Sequence, residues 1–326
     1  MRLENILVAA DFSPSADSVH RWAVAVARRF RGRITLLNVD ESDEFRWPPR
    51  TLQRNARLMR LLRDRAEHRQ RQLAAARGWF EQRDIPTTVE AAVGPATDRI
   101  LDHIRSHDVD VVIIGRRGAR LLVRNAIGAT TKRVLRRTSV PTLVVPREAQ
   151  TWDGATEPFG GKRIISATNF SPACRMALDA TLELAAAVGA QVDCVHVVRL
   201  PTPFFITPAE WPEIVVGETR EELEHLHAED LSEHIGPERA RRCSPCTTIG
   251  TSVSESLREV ALEIRADLIA LPSHSSGRER PPRFGSTTER VVRVSPVPCW
   301  SSPFSTWSGT SIQAPTWSRG GAVPGQ

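Results

Sequence analysis

The 326-residue chain is written twice. VAADFSPSAD at 8–17 returns as SATNFSPACR at 166–175, LLNVD at 36–40 as CVHVV at 194–198, and VDVVIIG at 109–115 as ADLIALP at 266–272. GATTKRVLRRTSVP at 128–141 returns as GSTTERVVRVSPVP at 285–298. The offset holds: Asp11 to Asn169 is 158, Gly94 to Gly250 is 156, and both Gly115 to Pro272 and Gly128 to Gly285 are 157. Two copies of roughly 150 residues read as two domains of one fold rather than a solenoid.

Each copy alternates strand and helix. Asn5–Ala10 is apolar on both sides, as a central parallel strand must be. Pro14 suits the first turn of a helix, because it has no N–H to satisfy there. Strands follow at Arg33–Val39, Thr87–Val93, Asp110–Ile114 and Pro141–Val145. Helices fill the intervals, the longest at 50–82 with Leu52, Leu58, Leu61, Leu62 and Leu73 on an arginine-rich background. The second copy repeats the order, with its long helix at Glu218–Glu233 after a proline-rich loop. This alternation requires parallel strands, right-handed crossovers and helices on both faces. The expectation is an α/β protein of two Rossmann-like domains, each a five-stranded parallel sheet of order 3-2-1-4-5. The first domain takes residues 1–149, a Gly/Thr/Pro linker 150–161 and the second domain 162–300. The tail 301–326, poor in charge and rich in Ser, Gly, Pro and Trp, reads as disordered. The tail also erodes the last strand, since VPTLVVP becomes VPCWSSP.

Polar chemistry concentrates in the first copy. Gly115, Gly118 and Gly128 punctuate a loop between a buried strand and a helix. Glycine there permits positive φ and close backbone approach. Successive N–H groups form an anion cup, and the helix start adds free donors and partial positive charge. Asp11 ends the first strand, which neighbours the fourth in this order, so both face the crevice at the switch point. A carboxylate there suits a ribose hydroxyl, an adenine amino group or a Mg²⁺ shared with phosphates. Val39 offers an apolar wall to a base.

With the spacing Gly115-x2-Gly118-x9-Gly128, the VAADFS opening and the VPTLVVP ending, the chain resembles the universal stress proteins, specifically a tandem pair of them. The resemblance covers about 3–146 and 162–300. It implies an adenine nucleotide alpha hydrolase-like fold. It also implies ATP, with or without Mg²⁺, held by Asp11 at the ribose, Val39 at the adenine, Gly115 and Gly118 at ribose and phosphates, and Gly128, Ala129 and Thr130 at the phosphates. The family has Ser or Thr where Ala129 stands. The missing hydroxyl costs about 1 kcal/mol, with Thr130 or Thr131 as substitute. In the second copy Asn169, Pro272 and Ser275 replace the aspartate and two glycines, so weak or no nucleotide binding is expected there. The family's dimer contact through the last strand implies a built-in pseudo-dimer, with a homodimer of whole chains also open, and the eroded second copy weakens that expectation.

Three functions stay open: a nucleotide-responsive stress or regulatory module with an unnamed protein partner, a slow ATPase or nucleotidyl-transfer enzyme, and a ligand-free dimerisation module. A cyclic nucleotide remains an alternative ligand. No Gly-x4-Gly-Lys-Ser/Thr loop, nucleophile elbow or zincin pattern occurs, so no catalytic residue is assigned. The net charge of +6 is carried almost wholly by arginine with no aromatic interleaving, so nucleic acid is not expected as a partner. Arg116, Arg117, Arg120 and Arg124 fit either phosphate forks or a solvated loop. The lone pair Cys243/Cys246 lacks a second ligand pair and reads as structural, and no metal site is expected. His225, His227 and His234 read as a solvated helix face. His274, in the degenerate loop, reads as ancestry rather than catalysis. Five cysteines, an opening without signal-peptide character and no long apolar run point to a cytoplasmic protein outside the membrane.

Overall fold

The computed structural model describes residues 1–13, 16–41, 56–118, 126–147, 163–199, 222, 225–233, 235–273 and 285–303. Pro14, Leu52, Arg120, Arg124, His234, His274, Ser275, the proline-rich loop, the linker 150–161 and the tail from 304 lie outside them.

The first half runs β1 (Asn5–Ala10), α1 (Ala16–Phe30), β2 (Arg33–Asp40), α2 (Ala56–Glu81), β3 (Thr87–Val93), α3 (Ala96–Ser106), β4 (Val111–Gly115), α4 (Ala129–Arg137) and β5 (Thr142–Val145). The second runs β6 (Arg163–Thr168), α5 (Pro172–Val188), β7 (Gln191–Arg199), a helix α6 at 225–233, α7 (Pro237–Ala240), β8 (Cys243–Gly250), α8 (Val253–Glu263), β9 (Leu268–Pro272), α9 (Ser286–Val294) and β10 (Cys299–Ser302). The described strands form one ten-stranded sheet, ordered β3-β2-β1-β4-β5-β10-β9-β6-β7-β8. All pairings are parallel except β5 with β10, which is antiparallel.

The central strands are buried on both faces, β5 and β10 at every residue and β4 at all but its last. One core holds Ile6, Val8, Ile34, Leu36 and Phe80 under α1 and α2. The other holds Leu7, Leu37, Ile100, Val134 and Leu135 under α3 and α4. Both cores continue into the second half, through Leu178 and Trp300 on one face and Leu257 and Val291 on the other. The long helix α2 buries only Leu73, Ala76 and Phe80, and Leu61 stands exposed. Its first turns are therefore a solvated projection, and the leucine stripe is not continuous core.

The last strand corrects the expectation of erosion. β10 forms, runs through Ser302 and pairs with β5 in the register Cys299 to Val144, Trp300 to Leu143 and Ser301 to Thr142. Ladder bonds come from the main chain, so two serines do not prevent pairing. Trp300, 2% exposed, supplies the apolar bulk. Leu143 and Trp300 are equivalent positions of the two copies, 157 apart. So are Lys132 and Glu289, which form an ion pair between α4 and α9. A pseudo-twofold axis therefore passes through both pairs. Glu289 is pressed upward by burial, but the Lys132 hydrogen bond and the charges of Lys132, Arg136 and Arg293 outweigh this and hold its carboxyl below the usual range.

Candidate functional site

β1 and β4 lie side by side, Ala9 opposite Ile114. The helices that follow them leave to opposite faces, α1 into one core and α4 into the other. That divergence opens a crevice at the strand ends. Asp11 stands exposed on its rim. One carboxylate oxygen accepts the Ser13 N–H at 3.0 Å, an Asx turn that fixes its orientation. Between them Phe12 has φ of 52°, a conformation that costs a non-glycine residue of order 1 kcal/mol. The second copy repeats the device: Asn169 accepts from Ser171 N–H at 3.1 Å and Phe170 has φ of 57°.

The other Asp11 oxygen faces Gly118. A Cβ placed on Gly118 would sit 3.0 Å from it, so glycine lets loop and carboxylate approach closely, and any larger residue would press the Asp11 tip away by a few tenths of an ångström. The positive φ expected of these glycines is not the reason: Gly128 has φ of −61°, and neither it nor Gly118 is among the described positive-φ glycines.

Gly128 acts within the loop itself. Its N–H donates to the Arg116 carbonyl at 2.8 Å, which closes the loop and removes that donor from the anion cup. α4 begins at Ala129 with no side-chain cap on Gly128. Its open donors therefore start at Ala129 and Thr130. Thr131 is committed as well, its hydroxyl donating to the Gly115 carbonyl at 2.8 Å. Only Thr130 remains as the substitute hydroxyl.

Arg116 does not reach toward a phosphate. It is 5% exposed and its guanidinium donates to the Ser295 carbonyl of the second half at 2.7 Å. Arg117 is buried too. Val39, half-buried at the end of β2, packs on the second core. Beside it Asp40, 5% exposed, is paired with Arg65 at 3.3 Å and with Arg69, both from α2. That clamp went unforeseen, although an i,i+4 arginine pair on a helix crossing a strand-end carboxylate is a readable signal. Glu41 accepts the Ala96 N–H at 2.8 Å and so caps α3.

In the second half the neighbourhood of Asn169 differs. Asn169 also accepts from the Cys174 thiol at 3.0 Å. Phe170 packs on His196 and His227, with ring centroids 5.0 and 5.2 Å away. His227, expected on a solvated face, is 2% exposed and bonded through Nδ1 to the Thr247 hydroxyl at 3.1 Å. Helical periodicity alone did not show which histidine faces the sheet. Burial, then the neighbouring His196, pushes it down from 6.5 to about 4. The unfolded chain therefore binds the extra proton between these values. Stability is whole above pH 6.5 and is lost as pH falls toward 4, on the order of 3 kcal/mol. Thermal melts at pH 7 and 4.5 are expected to show this loss, and His227→Gln to flatten it. A wild-type profile retained in His227→Gln would assign the loss elsewhere.

All five cysteines are free. Cys243 opens β8 buried, and burial pushes its thiol up to about 11, which suits an inert structural role. No helix among the described residues is long and apolar enough to cross a membrane.

Comparison with known proteins adds the following. A profile described as the universal stress protein family matches residues 2–146 and again 161–302. A universal stress protein of Mycolicibacterium smegmatis is 25% identical over 300 residues, covering 90% of this chain and 95% of that protein. The crystal structure of a universal stress protein from Archaeoglobus fulgidus superposes with a TM-score of 0.60 at 18% identity, over 93% of this chain and 97% of that one. A functionally unknown protein from Pseudomonas aeruginosa superposes with a TM-score of 0.56 at 13% identity, over 92% of each chain.

Proposed function

This chain belongs to the universal stress protein family, and from that premise we propose that its first domain binds ATP and that the protein acts as a nucleotide-responsive regulatory module of the stress response in the cytoplasm. The observation that carries this reading is the approach of Asp11 to Gly118, where a single Cβ would fill the space between carboxylate and loop. A ribose hydroxyl is the partner a fixed carboxylate oxygen suits there. Gly115, Gly118 and the N–H groups of Ala129 and Thr130 suit the phosphates, and Val39 the adenine. A Mg²⁺ accompanying the nucleotide would neutralise phosphate charge beside Asp11. The free cysteines accord with a reducing compartment.

Arg116 gives the response a route. It lies between Gly115 and Gly118 and is bonded to the second domain at Ser295, the residue capping α9. A nucleotide bound against the glycines on either side of Arg116 would press on this interdomain contact, and a protein partner reading the second domain would sense occupancy of the first. The second domain, with Asn169 bonded internally and aromatic rings beside it, serves as the responding half.

Calorimetric titration with ATP tests the reading. The expected result is one nucleotide per chain, weakened roughly 10- to 100-fold in Asp11→Ala, the loss of about 1.5–3 kcal/mol for a charged hydrogen bond. Equal affinity in the variant would remove Asp11 from the site, and two nucleotides per chain would overturn the silent second domain.

A further inference from the structure

We propose that Glu90, His103 and His107 form a binding site for a divalent cation of the zinc class, at the end of the sheet opposite the glycine loop. The pocket beside this cluster has a volume of about 480 Å³ and is lined by Asn5, Arg33 and Thr88 near the starts of β1, β2 and β3. Asp11 follows the far end of β1, roughly 20 Å away along the strand.

His103 and His107 are one helical turn apart at the end of α3, where they share a face. Glu90 projects toward them from β3, the edge strand. Each of the three offers a ligand atom, and these atoms lie within 4.8 Å of one another. His103 Nδ1 and Glu90 Oε2 are 3.1 Å apart. Two ligands on a tetrahedral zinc at about 2.0–2.1 Å are separated by roughly 3.3 Å, so this pair already spans one edge of the polyhedron.

His103 is 7% exposed and Glu90 half-buried, which fixes two ligands before a metal arrives. The third must move. The rings of His103 and His107 are stacked at 4.1 Å with planes 12° apart, and a metal must lie near the plane of each imidazole it binds. His107 is exposed and held through Nδ1 by contacts to Ser106 Oγ at 3.0 Å and the His103 carbonyl at 3.2 Å. The closing turn therefore falls to His107.

The surroundings favour a cation. The carbonyl end of α3 contributes negative potential. Asp108 adds a carboxylate to the pocket and Arg105 is paired with Asp102 at 2.6 Å, while Arg33, donating to the neutral Asn5 amide at 2.8 Å, keeps its charge on the pocket's far wall among the starts of β1 and β2. Two imidazoles and one carboxylate select a borderline ion over Mg²⁺ or Ca²⁺, which prefer oxygen throughout, and they leave a fourth position open to the pocket.

The test uses the full chain, stripped with chelator and titrated calorimetrically with Zn²⁺ and with Mg²⁺. One Zn²⁺ per chain is expected, with no comparable Mg²⁺ signal. His107→Ala and Glu90→Gln should each weaken Zn²⁺ on the order of tenfold or more, a loss already typical of groups one shell further out. His107 is exposed, so its variant should melt as the metal-free wild type does, which keeps folding and ligation apart. Co²⁺ should give ligand-field bands without a thiolate charge-transfer band. Unchanged affinity in His107→Ala, a thiolate band, or no Zn²⁺ uptake would each overturn the site.

Discussion

Gly118→Val is expected to reduce ATP affinity of the first domain at least about a hundredfold, near 3 kcal/mol, without unfolding it. The first atom of the new side chain would stand 3.0 Å from the Asp11 carboxylate, and two methyls extend further into the hollow. If the carboxylate steps aside, it strains the bond by which its other oxygen accepts the Ser13 N–H and leaves the position from which it would meet a ribose. Gly118 is partly exposed on a loop, so the core does not register the change and the melting temperature should stay close to that of the wild type. Gly128→Ala makes the contrast: its Cβ would meet nothing nearer than 3.5 Å, and its N–H bond survives. Calorimetry on the three proteins should therefore rank wild type and Gly128→Ala together, with Gly118→Val apart. Undiminished binding by Gly118→Val would place the nucleotide elsewhere.

Trp300→Ala is expected to destabilise the whole chain by about 3–5 kcal/mol, the usual cost of emptying a large buried aromatic site. Trp300 lies on β10 against Leu143 of β5, at the one antiparallel seam of the described sheet. The hollow left behind opens between the halves, so the loss should concentrate there. Urea unfolding followed by circular dichroism should show the lowered midpoint, and amide exchange should rise first in β5 and β10. A cost under about 1 kcal/mol would mean that the seam is held mainly by its main-chain ladder and by Lys132–Glu289.

Much of this was readable in the sequence because it was local or repeated. The strand Asn5–Ala10 announced itself by apolar residues on both faces, and the constant offset between copies carried the second half's elements. Asp11 and Gly115 could be brought to one crevice from the strand order alone, since it places the first and fourth strand ends side by side, whereas the approach of Gly118 to Asp11 emerges only from the loop's path. What escaped depended on partners far along the chain. Arg116 points to Ser295, and no property of the sequence GRRG indicates that direction. Gly128 spends its N–H on Arg116, a loop-closing bond invisible to motif spacing. His227 is buried because β8 presents Thr247 to it, whereas helical periodicity among glutamates suggested solvent. Glu90 joins His103 and His107 only through the crossing of an edge strand by a helix end.

Leu143 with Trp300, and Lys132 with Glu289, occupy the pseudo-twofold axis. In a dimer of identical subunits an axial residue must tolerate its own copy. Joining both subunits in one polypeptide lifts that restriction, and here each axial pair has become unlike: large beside smaller, cation beside anion. Two front halves docked the same way would oppose lysine to lysine, and two back halves glutamate to glutamate. Arg136 and Arg293, themselves equivalent positions, reach the same carboxylate, so one acidic side chain from the back half is shared by two cations of the front half and one of its own.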